Sequence, residues 1–287
     1  MRLTVVGSGT SQPQPETPAS GLLIETDETA ILIDCGQGII RELMGIRDPR
    51  ELDAIVIGHM HADHYIDLVS LRYLLPWEGV ASAHLPVLLP PGGKARLDAL
   101  ATAISERPTF FDDAYSVLEY DPAHRIHIGD LTVSFVAGQH YVPAWGAIVT
   151  GPDGARIAVS GDTGPSDVFV AAAAGAEVVV AEATLVDSAL DDPRRGHLTA
   201  EEAIDMADRA GAERVVLVHF RAELRERIER ACAARPGAIA GRPGLSIEVT
   251  AASAPSGRSS RGGTPPAADV PATPDRPVDR AAGIRIV

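Results

Sequence analysis

The stretch His59-Met60-His61-Ala62-Asp63-His64 places three histidines and one aspartate within six residues. It follows the apolar run Ala54 to Gly58, which is typical of a buried strand, and it precedes a helical pattern over Asp67 to Leu75. Side chains at alternate positions of an extended segment share one face, so His59, His61 and Asp63 point the same way, while His64 turns off as the helix begins. Imidazole and carboxylate suit zinc, manganese or iron. We interpret the stretch as a loop that offers ligands to two metal ions; a solvent-exposed histidine-rich loop is the alternative.

Other apolar runs also end in residues that can bind a metal. These are Leu131 to Ala137 before His140, Arg156 to Ser160 before Asp162, Glu177 to Ala181 before Glu182, and Arg214 to Val218 before His219. Helical patterns lie between several of them, at Ser166 to Ala174 and at Ala200 to Ala210, where Thr199 and Glu202 form a capping box and Gly211 marks the stop. Strands that alternate with helices predict an α/β fold, in which ligands gather at the carboxyl ends of strands. The sequence therefore predicts one site.

The N-terminal and C-terminal segments of the chain are predicted to differ in structure from the part between them. Three short β-rich runs, Leu3 to Val6, Gly21 to Glu25 and Ala30 to Asp34, predict an N-terminal meander. We assign residues 1–250 to one folded domain and residues 251–282, which are rich in Pro, Ser, Gly and Arg, to a disordered insertion. Residues 283–287 are β-like again, and we expect them to return to the domain as a strand paired with Leu245 to Val249.

Composition excludes several classes of protein. The formal net charge is -14 and the chain has one lysine, which argues against a broad nucleic-acid footprint and favours a small substrate. No apolar run is long enough to span a membrane, and the start of the sequence has no signal-peptide pattern, so we expect a cytoplasmic protein. Cys35 and Cys232 form no CxxC pair, and we expect both to be reduced and structural.

The HxHxDH run at residues 59–64 resembles the signature of the metallo-β-lactamase superfamily, and the likeness extends over about residues 1–250. The resemblance implies an αββα sandwich of two mixed β-sheets flanked by helices, and a two-metal hydrolase in which a metal-bridging hydroxide is the nucleophile. By that likeness the ligands of one metal are His59, His61 and His140, those of the other are Asp63, His64 and His219, and Asp162 bridges both. Asp63 is also expected to act in catalysis.

Each ligand outside residues 59–64 has a plainer interpretation. His140 or His219 taken alone would be a hydrogen-bonded core histidine, and Asp162 can instead cap the following helix. Asp34 resembles an aspartate that orients a ligand histidine, although a turn-forming role fits equally. His84, His124 and His127 match no ligand position, and we assign them no chemistry. Trp77 and Trp145 either line a pocket or pack in the core.

Two further segments indicate which group of the superfamily this chain resembles. Glu182-Ala183-Thr184 and Gly196-His197-Leu198-Thr199 are similar to elements of the ribonuclease Z group, where a glutamate orients a histidine near the scissile phosphate. By this likeness His197 stabilises the transition state or protonates the leaving oxygen, and Glu182 fixes its tautomer and raises its pKa. The alternatives are a solvated strand end for Glu182 and a helix start for His197.

The chain also departs from the ribonuclease Z group. His140 and Asp162 are only 22 residues apart, which leaves no room for the long arm that bacterial transfer-RNA processing enzymes carry there. Loop 9–18 lacks the Arg-Asn pair of that group. We therefore expect a phosphodiesterase for a small cyclic nucleotide or cyclic sugar phosphate. A ribonuclease Z-like enzyme, a sulfatase, lactonase or thioesterase, and a non-catalytic metal-binding module are the alternatives, and relatives of this kind are often homodimers.

Overall fold

The structure is a computed structural model, and it describes residues 1–75, 84–251 and 283–287. In this part of the chain the strands are β1 (Arg2–Ser8), β2 (Ser20–Glu25), β3 (Ala30–Ile33), β4 (Ala54–Val56), β5 (Leu85–Leu89), β6 (Tyr115–Glu119), β7 (Ile126–Ile128), β8 (Leu131–Ala137), β9 (Trp145–Thr150), β10 (Arg156–Val159), β11 (Val178–Glu182), β12 (Arg214–Val218), β13 (Ala238–Ala240), β14 (Ser246–Glu248) and β15 (Ile284–Ile286). The helices over the same residues are α1 (Ile39–Leu43), α2 (Ala62–Tyr65), α3 (Leu68–Arg72), α4 (Gly93–Ser105), α5 (Asp167–Ala173), α6 (Ala200–Arg209) and α7 (Arg225–Ala233).

The described strands form two mixed sheets. One has seven strands in the order β14-β1-β2-β3-β4-β5-β6, and the other has eight in the order β13-β12-β11-β10-β9-β8-β7-β15. The first sheet begins with the predicted antiparallel meander of β1, β2 and β3 and continues in parallel from β3 to β6. In the second sheet β10 to β13 are parallel, while β7 to β10 are antiparallel neighbours.

Apolar side chains fill three layers around these sheets. Leu3, Ile31, Val133 and Val180 belong to the layer between the two sheets, and all are fully buried. A second layer joins the outer face of the first sheet to α1, α3 and α4, and a third joins the outer face of the second sheet to α5, α6 and α7. The predicted αββα sandwich of an α/β chain is therefore confirmed. No helix of the described residues is long and apolar enough to cross a membrane.

Local sequence signals set several element boundaries correctly. The Thr199 side chain accepts a hydrogen bond from the Glu202 amide, and the Glu202 carboxylate accepts one from the Thr199 amide, so the predicted capping box starts α6. The strand predicted over Leu131 to Ala137 matches β8, and the strand predicted over Arg214 to Val218 matches β12. The helix predicted over Asp67 to Leu75 is shorter, because α3 ends at Arg72.

The pairing of the last strand is a correction to the sequence analysis. Ile284–Ile286 pairs antiparallel with Ile126–Ile128 at the edge of the second sheet, and not with Leu245 to Val249. Ser246–Glu248 pairs instead with β1, in the other sheet. A strand of three residues carries little register information, and the edge of β7 offers unpaired backbone groups together with the buried Ile126 and Ile128. Apart from Ala251, the segment 251–282 with its predicted disorder lies outside the described residues, and so does Trp77.

The last strand alternates between a buried and an exposed isoleucine, which allows a matched test. Ile284 is 5% exposed and packs in the layer between the sheets, whereas Ile286 is 64% exposed. We predict that Ile284→Ala lowers the free energy of unfolding by about 2 kcal/mol or more, because it leaves a cavity. Ile286→Ala, made on the same strand, should change it by less than about 0.5 kcal/mol. Urea unfolding measures both; equal effects would contradict the pairing with β7.

Candidate metal centre

All seven predicted ligand residues lie together where the two sheets meet. His59 follows β4 of the first sheet, Asp162 follows β10 of the second and His219 follows β12. An isolated bridge between His59 and Ala144 joins the first of these loops to the second sheet, and the Trp145 amide donates to the Gly58 carbonyl at 3.1 Å. Loops at the carboxyl ends of strands converge in α/β folds, which explains why residues so distant in sequence meet.

The first group of metal-ligand atoms comes from His59, His61, His140 and Asp162, and these atoms lie within 4.8 Å of one another. His61 Nδ1 is 3.0 Å from His59 Nε2 and 3.1 Å from His140 Nε2. Asp162 Oδ2 is 3.7 Å from His59 Nε2 and 3.9 Å from His140 Nε2. The other ring nitrogen of His140 donates a hydrogen bond to the Gly196 carbonyl at 2.8 Å. This bond leaves His140 Nε2 as an acceptor that faces the group.

The second group comes from Asp63, His64 and His219. His219 Nε2 lies 3.1 Å from Asp63 Oδ2 and 3.6 Å from Asp162 Oδ1. His64 Nε2 lies 3.4 Å from Asp162 Oδ2, so Asp162 contacts members of both groups. His64 Nδ1 donates to Asp34 Oδ2 at 2.7 Å, and Asp34 Oδ1 accepts from the Gly58 amide at 2.9 Å. Asp34 therefore fixes which nitrogen of His64 faces the centre.

These residues fit a bound metal ion. His64 Nε2 is buried and has no hydrogen-bond partner in the part of the chain that the structure describes. His59 Nε2, His61 Nδ1 and His140 Nε2 crowd together, and a single proton on His61 Nδ1 would have to be shared between the other two nitrogens. Imidazole nitrogens and carboxylate oxygens that converge without proton donors form a set suited to a divalent cation. The described residues thus hold His and Asp clusters that are able to bind metal.

Burial and charge shift the pKa values in this centre in opposite directions. Burial, together with the nearby His64, lowers the pKa of His59 well below its ordinary value. Burial opposes ionisation of Asp162, but His219 and His64 outweigh it and hold the pKa of Asp162 well below its ordinary value. Burial also opposes the charge of His64, yet Asp162 and Asp34 raise the pKa of His64 well above normal. The pKa shifts therefore run downward at His59 and Asp162 and upward at His64 within the same centre.

Glu182 and His197 form a pair beside these ligands. His197 Nδ1 donates to Glu182 Oε1 at 2.8 Å, and a ligand atom of His197 lies within 4.8 Å of ligand atoms of Asp162 and His219. The Thr163 amide also donates to Glu182 Oε1, at 2.8 Å. Glu182 is 1% exposed, so it is not a solvated strand end. The geometry matches the orienting role that the sequence analysis gives to Glu182.

Thr184 is a contact that the sequence analysis did not assign. His219 Nδ1 donates to Thr184 Oγ1 at 2.9 Å, and the Thr184 hydroxyl donates to Glu182 Oε2 at 2.6 Å. This chain of hydrogen bonds leaves His219 Nε2 as the nitrogen that faces Asp63. One carboxylate, Glu182, thus orients both His197 and His219. The Glu182-Ala183-Thr184 element is recognised in the sequence, but a role is predicted only for its glutamate.

Gly36 is a second unassigned contact. A Cβ at Gly36 would lie 1.9 Å from the Asp63 carbonyl oxygen. Only glycine therefore lets the loop of residues 59–64 approach the segment after β3 this closely. The Cys35 amide donates to the His64 carbonyl at 2.7 Å from the same side. The loop of residues 59–64 is thereby held by backbone contacts as well as by Asp34.

The positions of the remaining candidate residues decide between the interpretations that the sequence left open. Asp162 does not cap the next helix, because the Ser166 side chain accepts from the Phe169 amide at the start of α5. Trp145 packs edge-on against Tyr120 with ring centroids 6.1 Å apart, as part of the layer between the sheets. The three histidines without an assigned role lie outside the metal-ligand groups; they are His84, His124 and His127.

The chain matches a known protein family. Residues 29–220 match the model of the beta-lactamase superfamily domain, which is about two thirds of the chain. The chain belongs to this superfamily. An uncharacterized superfamily relative from Mycobacterium tuberculosis, Rv1339, is 30% identical over 222 residues, which cover 77% of this chain and 81% of the relative. Ribonuclease Z of Halorubrum lacusprofundi is 27% identical over 268 residues, covering 77% of this chain and 86% of that enzyme.

Solved structures show the same superfamily fold. The metallo-beta-lactamase fold protein YhfI from Bacillus subtilis superposes with a TM-score of 0.75 at 22% identity, over 86% of this chain and 99% of YhfI. A diphosphatase from the PhnP family superposes with a TM-score of 0.69 at 19% identity, over 86% of this chain and 97% of that chain. At these identities the likeness establishes the fold, and the family assignment implies a hydrolase.

Asp34 gives a test of the metal centre that leaves every predicted ligand in place. We predict that Asp34→Asn weakens zinc binding by about 10- to 100-fold, because His64 loses the carboxylate that orients it. Asparagine tolerates the positive φ of 62° at this position, so the backbone should not change. Asp53→Asn is the matched control, since Asp53 accepts a hydrogen bond from the Ala30 amide away from the centre. Competition with a chromogenic chelator measures affinity; equal values for the two variants would contradict the role of Asp34.

His197 gives a test that depends on pH. Burial opposes its charge, but the hydrogen bond to Glu182 dominates and raises the pKa of His197 to about 9 in the metal-free protein. The charged pair therefore stabilises the metal-free fold fully below pH 6.5, the ordinary value, and this contribution is lost as the pH rises through about 9. NMR titration of the imidazole should show the raised pKa, and Glu182→Gln should lower it. A pKa of His197 that does not respond to Glu182→Gln would contradict the pairing.

Proposed function

We propose that this protein is a two-metal phosphodiesterase that acts on a small phosphodiester of the cyclic nucleotide or cyclic sugar phosphate type. The observation that carries the proposal is the arrangement of two metal-ligand groups that share contact with Asp162, with the Glu182–His197 pair directly beside them. A phosphodiester needs charge stabilised on both the attacking and the departing oxygen, and it needs a proton for a basic leaving group. The site offers residues for each need.

The ligand assignment follows the two groups. His59, His61 and His140 would hold one cation, Asp63, His64 and His219 the other, and Asp162 would contact both. Two bound cations would lower the pKa of a shared water and stabilise charge on the attacking and departing oxygens. Zinc suits a set of imidazoles and carboxylates without cysteine, and manganese or iron are alternatives.

The chain itself supplies the proton donor. His197 lies at the edge of the centre, and its hydrogen bond to Glu182 raises the pKa of His197 to about 9 in the metal-free protein. A protonated His197 can give its proton to the leaving oxygen of the substrate, or it can stabilise charge on the phosphoryl group. Glu182 is held in turn by amides of Thr163 and Leu198, so the pair is rigid before substrate binds.

Size and charge support a small substrate. Between His140 and Asp162 the chain forms only the two strands Trp145–Thr150 and Arg156–Val159, which pair with each other, and no arm protrudes there. The net charge of -14 with a single lysine disfavours binding of a polyanion such as transfer RNA. A small phosphodiester carries little charge, so the metal centre alone can attract it.

A ribonuclease Z-like activity is the second candidate. The Glu182–His197 pair favours it, and so does the 27% identity to the ribonuclease Z of Halorubrum lacusprofundi. Sulfatase, lactonase and thioesterase activities remain further alternatives, because the same residues can polarise those groups. A non-catalytic metal-binding module would retain the ligands without turnover.

A substrate panel separates these functions. We predict that the purified protein, loaded with zinc or manganese, hydrolyses cyclic AMP or bis(p-nitrophenyl) phosphate and does not cleave a transfer-RNA precursor. Asp162→Ala should abolish turnover, because it removes the contact common to both ligand groups. Asp205→Asn, on the exposed face of α6, is the control and should retain full activity.

Two results would overturn the proposal. Efficient cleavage of the precursor without hydrolysis of either small ester would establish the second candidate. Full turnover by Asp162→Ala would exclude a reaction at this centre.

A further inference from the structure

The loop between β11 and α6 contains a buried carboxylate at the rim of the metal centre. The side chain of Asp191 is 3% exposed, whereas those of its neighbours Asp192 and Arg194 are 41% and 67% exposed. A buried carboxylate destabilises a fold unless hydrogen bonds compensate for the lost water. The partners of Asp191 therefore indicate what this carboxylate holds in place.

Those partners are a phenol, a run of backbone amides and the guanidinium of Arg195, whose Nε lies 3.6 Å from Asp191 Oδ2. The Tyr141 hydroxyl donates to Asp191 Oδ1. Asp191 Oδ2 accepts from the Gly196 amide at 2.9 Å and from the His197 amide at 3.3 Å. Asp191 thus binds the backbone of the residue that we propose as the proton donor, and Tyr141 orients the carboxylate that does so.

The ring of Tyr141 fills the space between this loop and the ligands. Its centroid lies 4.9 Å from the ring of His140 and 5.5 Å from the ring of His197. A Cβ at Gly196 would come within 2.4 Å of the Tyr141 ring, so a side chain at position 196 would displace one or the other. The loop and the ring are packed as closely as glycine allows.

The peptide at Gly196 is bound at both of its polar ends. Its amide donates to Asp191, and its carbonyl accepts the hydrogen bond from His140 Nδ1 at 2.8 Å. The side chain of the next residue, His197, is fixed separately by Glu182. The same short segment therefore sets the ring orientation of a metal ligand and the position of the proton donor.

We propose that Tyr141 and Asp191 are positioning residues that hold the Gly196–His197 segment against the metal centre, so that His197 can reach the leaving oxygen of the substrate. The kinetic part of this inference rests on the proposed function, whereas the structural part does not. Neither residue needs to touch the reacting atoms. Their effect on the reaction is expected to pass through His197.

The structural part is tested by amide hydrogen exchange in the metal-loaded protein. Tyr141→Phe removes only the hydroxyl and keeps the ring, and Asp191→Asn replaces one acceptor oxygen by a donor. Both should speed exchange at the Gly196 and His197 amides by about tenfold or more, since opening of a protecting hydrogen bond governs exchange. The matched controls are Tyr73→Phe, on an exposed tyrosine, and Asp192→Asn, in the same loop. Neither control should change exchange at these amides.

The kinetic part compares two leaving groups. A methyl p-nitrophenyl phosphodiester releases nitrophenolate without needing a proton, whereas a dialkyl or cyclic phosphodiester releases an alkoxide that needs one. We expect Tyr141→Phe and Asp191→Asn to lower kcat on cyclic AMP by about tenfold or more while leaving kcat on the nitrophenyl ester within about threefold. Zinc bound per chain should equal that of the parent protein.

The possible failures are distinguishable. Unchanged exchange at Gly196 and His197 in both variants would overturn the structural part, whatever the activity. Faster exchange with equal losses on both esters, or with loss of zinc, would overturn the kinetic part, because the residues would then act through the ligand His140. A parent protein that hydrolyses neither ester would refute the proposed function, and the exchange result would still stand.

Discussion

The burial of Asp162 among histidines is the interaction on which the rest of this structure depends. Its side chain is 3% exposed, and its oxygens lie within 4 Å of ring nitrogens of His59, His64, His140 and His219. A buried charge of this kind is tolerated only when opposite charges or metals surround it. Because the histidines come from both sheets, satisfying Asp162 also fixes how the edges of the two sheets meet.

Hydrogen bonds from residues outside the two ligand groups orient the histidines of this centre. Asp34 orients His64, the Gly196 carbonyl orients His140, and Glu182 orients His219 through Thr184. Asp34 and His219 both adopt a positive φ, 62° and 53°, which is uncommon for residues other than glycine. Such conformations persist where the surroundings over-determine them, and they cluster at functional sites. The unusual backbone and the buried polar contacts therefore point to the same residues.

The apolar layers explain why these contacts can be rigid. The strands that end at the centre, β4, β10 and β12, are buried over most of their length, so their carboxyl ends have little freedom to move. The loops after them are short and carry His59, Asp162 and His219 directly. The loop between β11 and α6 is longer and more exposed. There the hydrogen bonds of Asp191 to Tyr141 and to the Gly196 amide hold the backbone in place of apolar packing. Polar contacts thus stabilise the part of the site that the apolar layers do not reach.

The sequence by itself determined several strands, the start of α6 and the residues that we predict as metal ligands. Residues 59–64 and the polar residues after β8, β10 and β12 are local signals, because alternation, capping and strand length depend on neighbouring residues. The capping box at Thr199 is a signal of the same kind. For this reason an α/β fold with one site at its strand ends could be foreseen, while the αββα sandwich and the set of seven ligand residues came from the resemblance to the metallo-β-lactamase superfamily.

Only the tertiary structure decided the contacts between distant segments. The last strand, Ile284–Ile286, is too short to specify a partner from its sequence. In the folded chain it pairs with the open edge of β7. Asp34 fits a turn and a ligand contact equally well in sequence, and its 2.7 Å bond to His64 shows that it makes both. Tyr141 and Asp191 are 50 residues apart, and each is an ordinary loop residue until folding brings them together. Such contacts depend on how the loops close in space, which no local pattern encodes.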